Sequence, residues 1–125
     1  MNAILSQTNP DLLVRLPEEL KGYREEQGFI PSNIFENRTT ARLRVRCESR
    51  FGIISSPPFV FRTESQFQVL MKDLSKYGIG IITHQQLYPL ETFWVELLGK
   101  QIRASVVRCR KLGEKCFEVG GRILY

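Results

Sequence analysis

The stretch QFQVLMKDLSKYGIGIIT, residues 66–83, contains two strand signals joined by a turn. Phe67, Val69 and Met71 alternate with Gln66, Gln68 and Leu70, the period-2 pattern of a strand with one face buried. Residues 79–83 form a short apolar run that suits a second strand. Between them stands Asp73-Leu74-Ser75-Lys76-Tyr77-Gly78, in which aspartate and serine can bond nearby backbone and glycine tolerates a positive φ. Two short strands around a polar turn predict an antiparallel hairpin.

The same grammar extends outward. In residues 41–47, Leu43, Val45 and Cys47 alternate with Arg42, Arg44 and Arg46. Pro57-Pro58 marks a loop before Phe59-Val60-Phe61. Downstream, Phe93, Val95 and Leu97 repeat at two-residue spacing. Ile102, Ala104 and Val106 then face one way, with Arg103, Ser105 and Val107 facing the other. Leu112-Gly113 is expected to be a tight hairpin turn, and Phe117, Val119, Gly121 and Ile123 a last strand. Short strands at this spacing predict an all-β domain, an antiparallel barrel or sandwich.

Residues 1–35 read differently, as an extension to a domain of residues 36–125. Asn9 and Pro10 form a helix-start signal. Leu12, Leu13, Leu16, Leu20 and Tyr23 follow at roughly helical spacing, with Pro17 as an alternative helix start and Gly28 as a stop. A short N-terminal helical segment is therefore expected, docked on its own domain or on a second copy in a homodimer. Pro31-Ser32-Asn33 reads as loop.

With 125 residues and 42% hydrophobic content the chain can bury one core. No apolar run approaches the ~20 residues of a membrane span. Residues 1–10 lack the basic and apolar regions of a secretory leader, and three cysteines suit a reducing compartment; a cytoplasmic location without membrane insertion is expected. A net charge of +5 favours an anionic partner. Arg38, Arg42, Arg44, Arg46 and Arg50 crowd one stretch, and guanidinium groups can grip phosphate bidentately and lie flat on a base. The same arginines could equally be a solvated strand edge that discourages edge pairing.

Enzyme chemistry finds little to work with. His84 is the single histidine and has no nucleophile motif beside it, so no catalytic residue is assigned. Cys47, Cys109 and Cys116 lack the paired spacing of a zinc site, so no metal is assigned. A turn at Leu112-Gly113 would set Cys109 opposite Cys116, but free thiols are expected. Two arginines four apart, Arg38 and Arg42, can meet guanine O6 and N7 or phosphate. The Asp73–Ser75–Gly78 turn can offer a carboxylate to the donors on guanine's Watson–Crick edge.

Arg38-Thr39-Thr40-Ala41-Arg42 ahead of the first strand, with Asp73-Leu74-Ser75-Lys76-Tyr77-Gly78 leading into a later one, resembles the PilZ family over residues 36–125. The resemblance implies a small six-stranded antiparallel β-barrel that binds cyclic di-GMP, a bacterial second messenger, through Arg38, Arg42, Asp73, Ser75 and Gly78. It implies no cofactor and no catalysis, with the signal passed to a separate effector protein when an arginine arm closes over the ligand. The Pro57-Pro58 region reads as an extended loop relative to the family, and the N-terminal segment is the expected cover for the barrel's open end. Asn37 stands where many members carry another arginine, which favours one ligand copy per site. Two alternatives remain: a PilZ-like interaction module without ligand binding, and a nucleic-acid-binding β-barrel. The second is disfavoured because no shared patch of surface aromatics is evident for stacking.

Overall fold

Side-chain alternation and hydrogen-bond register together close the sheet on itself. The computed structural model describes residues 12–18, 28–31 and 42–125, with backbone alone described for 28–31 and for Arg42. Eight strands are present: β1 (Gly28–Pro31), β2 (Arg42–Arg46), β3 (Glu48–Ser55), β4 (Gln66–Ser75), β5 (Gly78–Thr83), β6 (Thr92–Leu97), β7 (Lys100–Gly113) and β8 (Cys116–Ile123). Neighbours run β4-β3-β6-β7-β8-β5, and β5 pairs back onto β4, which closes a six-strand antiparallel ring. No α-helix occurs among the described residues, and Glu18, directly after Pro17, is the one described residue in a 3₁₀ turn.

β2 and β3 act as one long strand with a break at Cys47. Both pair with β4, β2 at its end (Arg44 opposite Asp73) and β3 at its start (Gly52 opposite Gln66). The Met71 N–H donates to the Cys47 carbonyl at 2.8 Å, so the ladder continues across the break. The strand expected over residues 41–47 therefore runs on to Ser55. β1 lies outside the ring, paired antiparallel to β2 with Gly28 opposite Arg46. Gly28 belongs to a strand, not to a helix stop, and Pro31 ends that strand.

The alternating residues fill the barrel. Val45, Phe51, Phe67, Val69, Met71, Ile79, Ile81, Phe93, Val95, Ala104, Val106 and Val119 form one buried cluster. Phe51 stacks on Phe67 and Phe93 at centroid distances of 4.7 and 5.0 Å. Each fully buried phenyl contributes about 2–3 kcal/mol. Leu87, from the β5–β6 loop, is 1% exposed and belongs to the same cluster. It enters the barrel from a loop, the job expected of the N-terminal segment.

Of that segment, residues 12–17 pack on the outer wall. Residues 12–17 are neither helix nor strand; Val14 is buried with Leu70, Ile82 and Cys116, and Leu12, Leu16 and Leu112 pack around them. The Arg15 N–H donates to the Lys115 carbonyl at 3.0 Å. The backbone here seeks partners on the β7–β8 hairpin, so the helical spacing of the leucines is overridden by docking. The helix start at Asn9 and Pro10, and the stripe positions Leu20 and Tyr23, lie outside the described residues.

The loops flanking β4 and β6 are tied by one buried carboxylate. Glu91 is 0% exposed and accepts from Ser56 Oγ at 2.6 Å, Arg62 Nε at 3.1 Å and the Tyr88 N–H at 2.8 Å. Burial alone would raise its pKa, but the bonds from Arg62, Ser56 and Tyr88 outweigh burial and hold the carboxyl below its usual range. Arg62 also reaches Gln85 at 3.2 Å, so the Pro57-Pro58 loop is fixed to the β5–β6 loop.

The β7–β8 hairpin turns at Glu114 and Lys115, where Lys115 has φ 52°, and not at Leu112-Gly113. Gly113 faces Cys116, while Cys109 faces Val119. Cys109 packs on the barrel core and Cys116 on the outer cluster, so opposite faces of the wall separate the two thiols. None of the three cysteines is in a disulfide.

Candidate functional site

Two β-bulges re-aim charged residues onto one patch of the barrel's outer wall. In β4, Met71 faces Ile81 and Asp73 faces Gly80, which makes Lys72 an extra residue. In β7, Val106 faces Gly121 and Arg108 faces Gly120, which makes Val107 extra. Met71 and Val106 point into the core, so strict alternation would turn Asp73 and Arg108 inward as well. Each bulge shifts the phase by one residue and turns the following side chain outward. The Arg46 guanidinium donates to the carbonyl of Lys72 at the first bulge.

The registers then line up across five strands. Arg44 of β2 faces Asp73 of β4, Asp73 faces Gly80 of β5, Gly80 faces Gly120 of β8, and Gly120 faces Arg108 of β7. Directly paired residues share a face of the sheet. An acid and a cation thus flank two adjacent glycines. Each glycine lets a side chain lie close over it: a Cβ on Gly80 would lie 2.5 Å from Asp73 Oδ1, and one on Gly120 would lie 3.3 Å from Arg108 Cγ and Nε. The carboxylate therefore lies over one glycine and the arginine over its neighbour.

This patch is the floor of a groove of about 160 Å³, lined among others by Lys72, Asp73, Gly78, Gly80, Arg108 and Glu118. Lys72 Nζ lies 2.7 Å from Glu118 Oε2 and 3.6 Å from Asp73 Oδ2, and Arg110 holds the other Glu118 oxygen at 2.8 Å. Burial works against the charge on Glu118, but Lys72 and Arg110 more than offset it and lower its pKa. No hydrogen bond or ion pair joins the Arg108 side chain to another described residue. Larger hollows of about 330 and 390 Å³ lie beside Phe67 and beside Leu97, and no residue of the 73–78 stretch lines either.

The residues singled out from sequence divide into four groups. Asp73 and Gly78 line the groove. Ser75 closes the turn beside it: its Oγ accepts from the Gly78 N–H at 3.1 Å and donates to the Gly78 carbonyl at 3.3 Å. Arg42 stands opposite Ser75 in the β2–β4 register, so its backbone borders the same turn. Arg38 lies outside the described residues. His84 sits elsewhere, its Nε2 3.0 Å from Glu64 and its ring edge-on to Phe67 at 4.8 Å.

Sequence reasoning missed Lys72, Gly80, Arg108, Glu118 and Gly120. Gly120-Gly121 was the available signal, since one glycine of such a pair must face out while the other faces in. Gly121 is the inward one, its Cβ position 3.1 Å from Phe93 Cζ. Chemically the groove offers a carboxylate acceptor beside cationic donors over a floor without side chains, which suits a flat polar ligand. No protein-family model matches the chain, and no match to a curated protein is found.

Proposed function

We propose that this protein is a non-enzymatic receptor of the PilZ type whose groove binds cyclic di-GMP. The observation that carries the reading is the β2–β4 pairing. It sets Arg42 of the first motif opposite Ser75 of the second, at the edge of a glycine-floored groove lined by Asp73 and Gly78. Cyclic di-GMP carries two guanines and two phosphates. Asp73 would accept from guanine N1–H and N2–H, and Arg38 and Arg42 would hold phosphate and the O6/N7 edge. Ser75 supports the site largely by fixing the turn. The ligand-bound surface would then be read by a separate effector protein.

Calorimetric titration with cyclic di-GMP tests this directly. Arg38→Ala and Arg42→Lys each forfeit a charge-assisted contact of about 1.5–3 kcal/mol, or its planar fork, so affinity should fall by up to roughly 150-fold. Ser75→Ala removes a neutral hydroxyl and should cost nearer ~1 kcal/mol. Wild-type affinity in both arginine variants would remove the arginines from the site. A single-stranded oligonucleotide that binds while the nucleotide does not would favour the nucleic-acid alternative.

A further inference from the structure

We infer that Arg108, on the C-terminal hairpin and outside both motifs, is a ligand-binding residue that reads the guanine base together with Asp73. The inference rests on the cyclic di-GMP reading and adds a residue and a selectivity to it.

Asp73 and Arg108 come from strands on opposite sides of the β5–β8 pair, yet the two bulges turn both onto the same register row. With no Cβ on Gly80 or Gly120, the two side chains lie down over adjacent glycines. Adjacent strands are about 4.8 Å apart, so an anionic acceptor and a cationic donor stand side by side at roughly that spacing. They are not spent on each other, because no ion pair joins Arg108 to a described residue. A guanidinium with no partner among the described residues, above a bare glycine floor, is a donor pair awaiting an acceptor.

The order of groups selects the base. Along one edge guanine presents N2–H and N1–H as donors, then O6 and N7 as acceptors. Asp73 followed by Arg108 presents acceptor then donors, the complement of that sequence. Adenine offers an acceptor at N1 and a donor at N6, which would oppose Asp73 and Arg108 with like groups. Leaving such groups unpaired in a groove weakens binding. The pairing therefore favours guanine over adenine, with Arg108 forming a bidentate contact that lysine cannot reproduce.

The test is titration of wild type, Arg108→Ala, Arg108→Lys and Gly120→Ala with cyclic di-GMP and with cyclic di-AMP. Wild type should prefer cyclic di-GMP by roughly tenfold or more. Arg108→Ala should bind cyclic di-GMP roughly 10- to 100-fold more weakly and lose most of the preference. Arg108→Lys should recover little of it. Gly120→Ala, which pushes a methyl towards the arginine stem, should shift in the same direction. Melting temperatures should stay near wild type, since the Arg108 side chain is exposed and bonds no described residue. If wild type binds cyclic di-GMP and Arg108→Ala binds it equally well, or keeps the full preference, the assignment of Arg108 is overturned while the receptor reading stands. No binding by wild type overturns both.

Discussion

Gly80→Ala should separate ligand binding from folding. The added methyl would fall 2.5 Å from Asp73 Oδ1 and 3.1 Å from its Cγ, distances at which something must move. What moves is the end of a side chain on the outer wall, not core or backbone. Alanine in a strand also loses less entropy on folding than glycine, a gain of about 0.5–1 kcal/mol. The net effect on stability should thus stay within about 1 kcal/mol. Binding should respond differently, because the displaced carboxylate forfeits a charged contact of about 1.5–3 kcal/mol and affinity falls roughly 10- to 150-fold. Gly121→Ala provides the contrast. Its methyl would meet Phe93, Ile79 and Ala104 at 3.1–3.3 Å inside the core. Overpacking there should cost about 1–3 kcal/mol and lower Tm by about 4 °C per kcal/mol. Thermal melts and cyclic di-GMP titrations on both variants provide the check. Wild-type affinity in Gly80→Ala would refute the role given to Asp73, and an unfolded Gly80→Ala would refute the claim that its side chain can swing aside.

Glu91 has a folded pKa below its unfolded value near 4.3, so its stabilisation is complete above that value and disappears as pH falls through the folded pKa. Glu91→Gln should accordingly cost about 3 kcal/mol at pH 7, and its deficit in Tm should shrink below about pH 4; a deficit independent of pH would contradict the buried pair. Cys116 is pushed up to about 11 by burial and by the nearby Glu118 charge, so at pH 8 its alkylation should be more than about 100-fold slower than that of a free cysteine. Mass counting should find three thiols in the fresh protein, and a two-dalton deficit would show a disulfide.

The sequence exposed the barrel wherever alternation ran unbroken and failed where bulges reset the phase. Phe67, Val69 and Met71, and likewise Phe93, Val95 and Leu97, kept the period and all point inward. Arg108 follows a bulge at Val107, so a two-residue period carried through from Val106 assigns it to the wrong face. Leu112 is the extra residue of another bulge in the same strand pair, and this moved the hairpin turn to Glu114 and Lys115. The apolar leucines near the N terminus imitated helical spacing because they cover an irregular outer hollow around Val14 and Cys116. Of the two motifs, the turn was legible because Ser75 and Gly78 bond each other locally, although β4 runs on through Asp73 to Ser75. The glycine floor was not, since Gly80 and Gly120 meet only through the β5–β8 register.

The most direct test of the central claim is one calorimetric titration series: cyclic di-GMP into wild type and into Asp73→Ala, with circular dichroism establishing that both are folded. The groove as described predicts saturable binding by wild type, at about one ligand per chain, and at least about tenfold weaker binding by Asp73→Ala. No heat of binding with wild type, or equal affinity in the two proteins, would contradict the account.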